Sequence, residues 1–111
     1  MENIKFFICP ISKNITDAVL SFCKQQNHTI GLIPTRRQIE WDGGYANNWT
    51  TKAFKDYAGT LPLERDHAGP SQGHKEDDGY VSLAHDCDYF DFIHIDPWKK
   101  YPNHKEGLQW T

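Results

Sequence analysis

The sequence predicts an α/β domain built on parallel strands, and three observations carry that prediction. Stretches rich in β-formers alternate with segments of helical period along the whole chain. The second of those stretches is continuously apolar, as a strand covered on both faces is. No internal repeat, low-complexity segment or Pro/Gly/Ser-rich linker divides the chain, and its 111 residues, 38% apolar and 14% aromatic, fit a single globular unit. Parallel strands need a crossover, which a helix supplies, so a strand–helix–strand rhythm at this pace reads as βα units.

The elements follow in order. Residues 4–8, IKFFI, form a first strand closed by Pro10 and Ser12. Asn14 or Thr16 is the expected cap of a first helix, in which Ile15, Ala18, Val19, Phe22 and Cys23 recur at three- and four-residue steps up to Gln26 and Asn27. The run TIGLIPT is a second strand, followed by the long polar loop RRQIEWDGGYANNW, in which Gly43 and Gly44 allow a sharp reversal. Thr50 or Thr51 caps a second helix with Ala53, Phe54 and Tyr57 on its apolar side and Gly59 at its end. A third strand begins at LPLER, a third helix covers GYVSLAHDC, and a fourth strand covers YFDFIHIDPW until Pro97 stops it. The tail EGLQWT is the first turn of a fourth helix.

Composition excludes several classes of function. Fifteen acidic against twelve basic residues give a formal charge of −3 with no basic block, so neither a nucleic acid nor a membrane surface is an expected partner. The longest early apolar run, FFICPI, is too short to span a bilayer and lacks the features of a signal peptide, which points to the cytoplasm. The sequons at Asn14, Asn27 and Asn48 are then chance occurrences. Cys9, Cys23 and Cys87 are odd in number and widely spaced, which argues against a disulfide framework or a zinc knuckle and for small core residues.

The loops at the C-terminal ends of parallel strands share one edge, and there the polar residues gather. After strand 2 come Thr35, Arg36, Arg37, Gln38 and Glu40; after strand 3, Asp66, His67 and Ser71; at the end of strand 4, His94, Asp96, Trp98, Lys99 and Lys100. His94 and Asp96 are two apart in a strand and share a face. Together with Asp66 and His67 they are ligand types for a divalent metal such as zinc, or for general acid/base chemistry. Arg36 and Arg37 suit bidentate recognition of a phosphate or carboxylate, whereas Lys99 and Lys100 read as surface charge. The loop GPSQG could offer backbone N–H groups to a phosphate, and HKEDDG reads as a solvated turn.

These motifs resemble those of the tagatose-bisphosphate aldolase accessory subunit (GatZ/KbaZ-like) family, relatives of the zinc-dependent class II fructose/tagatose-bisphosphate aldolases. The resemblance rests on Thr35 and Gln38 leading to Gly43, Gly44 and Tyr45, on Asp66, His67, Gly69 and Pro70, and on His94 with Asp96. It implies a (β/α)8 TIM barrel, of which four βα units would be the N-terminal half, since a full barrel needs roughly 200 to 250 residues. Residues 1–111 are then one partial domain, truncated at its C-terminus or obliged to pair. The resemblance further implies Asp66 as proton-transferring residue, His67 as a ligand of Zn2+ and Asp96 at the barrel mouth beside metal or substrate; the residue types themselves add His94 as a second candidate ligand and Thr35, Arg36, Arg37, Gln38 and Ser71 as candidate contacts to a phosphorylated sugar. Arg36 and Arg37 depart from the family, where smaller polar residues are usual. The expected function is metal-assisted aldol cleavage of a ketose bisphosphate. The alternatives are a non-catalytic subunit that binds sugar phosphate or stabilises an aldolase partner, a homo-oligomer being a further arrangement, and a metal-dependent hydrolase on the same barrel.

Overall fold

A computed structural model describes residues 6–111. It shows a small α/β arrangement with short parallel strands and, among the described residues, four helices. The order is β1 (Phe7–Ile8), α1 (Lys13–Gln26), β2 (Gly31–Leu32), α2 (Thr51–Ala58), β3 (Glu64–Ala68), α3 (Tyr80–Tyr89), β4 (Phe92–Ile95) and α4 (His104–Trp110). Of the expected first strand, positions 4 and 5 lie outside the described residues. The strands are parallel and adjacent in chain order: β1 pairs with β2, Leu32 and Thr35 bridge to Leu63 and Asp66, and β3 pairs with β4.

Helix α1 starts earlier than its periodicity suggests. Ser12 is the cap, its Oγ accepting the Ile15 N–H at 3.2 Å, in place of the expected Asn14 or Thr16. The buried stripe is correspondingly Thr16, Val19 and Cys23, while Ile15, Ala18 and Phe22 face outwards. A hydroxyl can occupy that stripe because Thr16 Oγ1 donates back to the Ser12 carbonyl at 3.3 Å. Asn27 ends the helix in the left-handed region. Helix α2 begins as read, with Thr50 Oγ1 accepting the Ala53 N–H at 3.1 Å, and buries Thr51, Phe54 and Ala58. Strand β3 starts three residues later than LPLER suggests, and α4 makes two turns from an Asn103 cap. Of the three cysteines only Cys23 is a core residue; Cys9 and Cys87 are exposed.

The core lies between the helices and one face of the strands, where Leu32, Ile39, Phe54 and Leu63 are fully buried. The other face carries Phe7, Phe92, Asp66 and His94. Adjacent strands lie about 4.8 Å apart, so β1 and β4, three steps removed, would stand roughly 14 Å apart in a flat sheet. The rings of Phe7 and Phe92 nevertheless meet edge-on at 6.1 Å, so the ladder curls towards that face.

Behind β3, Arg65 is fully buried against α3. Its guanidinium donates to both Asp86 oxygens, at 2.9 and 3.0 Å, and to the Pro34 carbonyl at 3.2 Å, over the Phe90 ring. Burial pushes the Asp86 carboxyl up against the pull of Arg65. No helix among the described residues is long and apolar enough to cross a membrane. Removing one partner of the buried pair strands the other charge, so Asp86→Ala is expected to cost about 3–5 kcal/mol in urea denaturation. An Arg65→Met, Asp86→Leu double variant should recover most of that loss.

Candidate functional site

Two consecutive residues of a regular strand point to opposite faces, yet Asp66 and His67 work on the same side. The register between β3 and β4 explains this. Arg65 is level with Ile93 and Ala68 with Ile95, so Asp66 and His67 together stand opposite the single residue His94. That extra residue is a bulge, and His67 absorbs it in the left-handed region with φ of 54°. Beyond the bulge the chain closes tightly, because Gly69 lies flat on the Asp96 carbonyl and a Cβ there would stand 1.8 Å from its oxygen.

The bulge brings donor atoms together. Asp66 Oδ1 lies 3.4 Å from His67 Nε2 and 3.3 Å from His94 Nδ1, and the ligand atoms of the three residues fall within 4.8 Å of one another. The His94 nitrogen also faces the His67 backbone N–H at 3.5 Å. Asp96 contacts His67 Nδ1 through Oδ2 at 2.6 Å, while its Oδ1 accepts the Trp98 backbone N–H at 3.1 Å. Burial pushes the Asp96 carboxyl up, but the His67 and Trp98 hydrogen bonds and the charges of His67 and His94 hold it below the usual carboxylate range. Zinc held tetrahedrally at about 2.0–2.1 Å spaces its ligands about 3.3 Å apart. Two of the three separations lie near that spacing, the two histidine nitrogens fall within 4.8 Å of one another, and the nitrogen and oxygen donors are of types that could hold zinc.

The expected substrate contacts are arranged differently. Of Thr35, Arg36, Arg37, Gln38 and Ser71, only Arg37 presents an exposed side chain. Thr35 and Gln38 cap one another, the Thr35 N–H donating to Gln38 Oε1 at 2.9 Å and the Gln38 N–H to Thr35 Oγ1 at 3.3 Å. Ser71 Oγ closes its own loop on the Lys75 carbonyl at 2.7 Å. Arg36 is buried as a clamp: it donates to Glu40 at 2.7 Å, to the Gly69 carbonyl at 2.8 Å and to Asp77. Burial alone would push the Arg36 guanidinium down, but Asp77 and Glu40 more than reverse it. The segment HKEDDG, expected to be a solvated turn, thus supplies a structural carboxylate. Arg36, Arg37, Tyr45, Gly73 and His74 line part of a cleft of about 320 Å³. Lys99 and Lys100 are exposed, as read.

Sequence reasoning missed two residues here. Gln72, whose side-chain amide donates to Asp96 Oδ2 at 3.1 Å, carried no signal beyond its place in a polar loop. Asp77 carried none either, lying 41 residues from Arg36, although the four-residue spacing of Arg36 and Glu40 was readable as an ion pair.

No family model matches the sequence, and no curated protein matches it. Among solved structures, the crystal structure of a probable tagatose 6 phosphate kinase from Sinorhizobium meliloti 1021 is similar over 83% of this chain, with a TM-score of 0.61 and 20% sequence identity. The similarity shows a shared fold. The chain spans only 28% of that protein's length.

Two outcomes are expected. A left-handed conformation costs a residue with a Cβ about 1–2 kcal/mol, so His67→Gly should hold or raise the melting temperature, whereas His67→Val should lower it. Burial pushes the Asp77 carboxyl up, but the Arg36 hydrogen bond and charge hold it below the usual range. A lowered folded-state pKa means that the ionised form is favoured by folding. Its contribution is present above the ordinary carboxylate pKa of roughly 4 and is lost as pH falls through and below that value. Acid unfolding curves of Asp77→Asn should therefore show lower stability at neutral pH and a shallower acid limb than the parent.

Proposed function

We propose that the chain is a carbohydrate-phosphate protein with a divalent-cation centre at Asp66, His67 and His94, acting in aldol-type carbon–carbon cleavage of a ketose bisphosphate. The convergence of Asp66 Oδ1, His67 Nε2 and His94 Nδ1 carries the reading. The curl of the strand ladder towards the Phe7 and Phe92 face, with its strands in chain order, supports the N-terminal half of a (β/α)8 barrel as the scaffold. In such a barrel the strand C-terminal ends build the site, which is where Asp66, His67 and His94 would stand. The similar fold of a protein whose name carries a sugar phosphate supports the substrate class.

Asp66, His67 and His94 would hold the cation, and zinc suits their donor types. When bound, the cation supplies Lewis-acid polarisation of a carbonyl oxygen. Asp66 lies at the edge of the centre, where the oxygen not turned to the two histidines can accept the proton that a hydroxyl gives up when the carbon–carbon bond breaks. Arg37, exposed at a cleft it shares with Glu40, Asp42, Tyr45 and His74, would be the guanidinium that receives a phosphate group. Arg36 serves that cleft indirectly by clamping the loop between β3 and α3.

Metal analysis of the purified chain, followed by an assay for triose phosphate release from ketose bisphosphates, tests the reading. Wild type is expected to carry one zinc per chain and His94→Ala to lose it with the fold intact by circular dichroism. A folded wild type with no zinc above the buffer blank rules out the cation centre. Zinc-loaded protein that releases no triose phosphate removes the lyase activity and leaves a non-catalytic sugar-phosphate-binding subunit.

A further inference from the structure

Asp96 was expected at the chemistry itself, but its contacts describe another role. Its side chain is 16% exposed, against 46% for His67. Both oxygens accept hydrogen bonds from the protein: Oδ1 from the Trp98 backbone, Oδ2 from the Gln72 side-chain amide at 3.1 Å as well as facing His67 Nδ1 at 2.6 Å. A carboxylate so occupied is poorly placed to move a proton or to turn towards a substrate.

The geometry has a consequence for His67. An ionised carboxylate only accepts, so the imidazole nitrogen at 2.6 Å must carry a hydrogen. In a neutral ring the other nitrogen, Nε2, then carries the lone pair, and it lies 3.4 Å from Asp66 Oδ1. Two acceptors at that distance repel one another until a cation lies between them. Gln72 matters because a second donor on Oδ2 fixes the carboxylate that fixes the ring. Gln72 sits on the loop that Arg36 clamps at Gly69 and Asp77, so the arrangement runs back into a buried network.

We infer that Asp96 is a positioning residue: steadied by Gln72, it holds His67 as the Nδ1–H tautomer, so that Nε2 is the atom offered to a divalent cation. The inference deepens the reading of Asp66, His67 and His94 as a cation centre and rests on it for its functional meaning. Metal-bound histidines commonly give their second N–H to a carboxylate, and removing such a partner weakens metal binding about 10–100-fold.

The tautomer is readable without metal, by long-range proton–nitrogen correlation spectra of the nitrogen-labelled, metal-free chain at pH 8.5, with cobalt titration followed by visible absorption as the second measurement. Wild-type His67 is expected to show Nδ1–H. Asp96→Asn, which keeps the shape, should shift His67 towards Nε2–H, because the amide can turn its NH2 to the ring, and should weaken cobalt binding about 10–100-fold. Gln72→Ala should weaken it less, in the same direction. Wild-type His67 found as Nε2–H, or with both nitrogens protonated at that pH, overturns the inference. So does an Asp96→Asn variant with unchanged tautomer and affinity. If wild type shows Nδ1–H yet takes up no cobalt, the positioning by Asp96 stands and the cation centre falls.

Discussion

One residue more on β3 than on β4, between Arg65 and Ala68, is the constraint from which the site follows. Without it, Asp66 and His67 would lie on opposite faces of the strand, one towards the curled inner face and one towards the helices. The bulge places both opposite His94 and leaves His67 in a backbone conformation that residues with a Cβ rarely adopt. Such strain persists only where the surroundings over-determine it. Here they do. Ala68 resumes the ladder by accepting the Asp96 N–H at 2.8 Å, and Gly69 packs on the Asp96 carbonyl with no room for a side chain.

Two buried arginines hold that end of the molecule from behind. Arg65, beside the bulge, ties β3 to α3 through Asp86 and to the end of β2 through the Pro34 carbonyl. Arg36 ties the loop after β2 to the loop after β3 through Gly69 and Asp77, while the Ser82 hydroxyl reaches Glu40 at 2.6 Å from α3. Guanidinium groups suit this work because their planar fork reaches several acceptors at once. The charges most suggestive of an anion site in the sequence are thus, in one case of two, part of the frame. Arg37, its neighbour, remains at the surface.

Much of the element order was legible because helical and extended segments differ in period, and caps such as Thr50 announce themselves. The buried face of α1 was not legible, since it is decided by where the helix docks: Thr16 is buried with its hydroxyl satisfied while Phe22 stacks on His28 at the surface. The gathering of Asp66, His67, His94 and Asp96 at one edge could be read from the rule for parallel strands. Their distances could not, because a bulge is a property of two strands in register and leaves no mark on either alone. The Arg36 clamp was hidden for the same kind of reason, with partners on separate loops.

The chain-order pairing of the strands also bears on how the molecule forms. Each strand docks on the one made just before it, so each pairing among the described residues closes a loop of only about 30 residues. Contacts of that range form quickly, and they suit a chain that emerges from the ribosome N-terminus first. In this order the clamp has all its partners once Asp77 follows β3, and the bulge forms only when β4 pairs. Asp77 and Asp86 follow β3, and His94 and Asp96 follow α3, so the donor cluster is assembled only once the scaffold beneath it is in place.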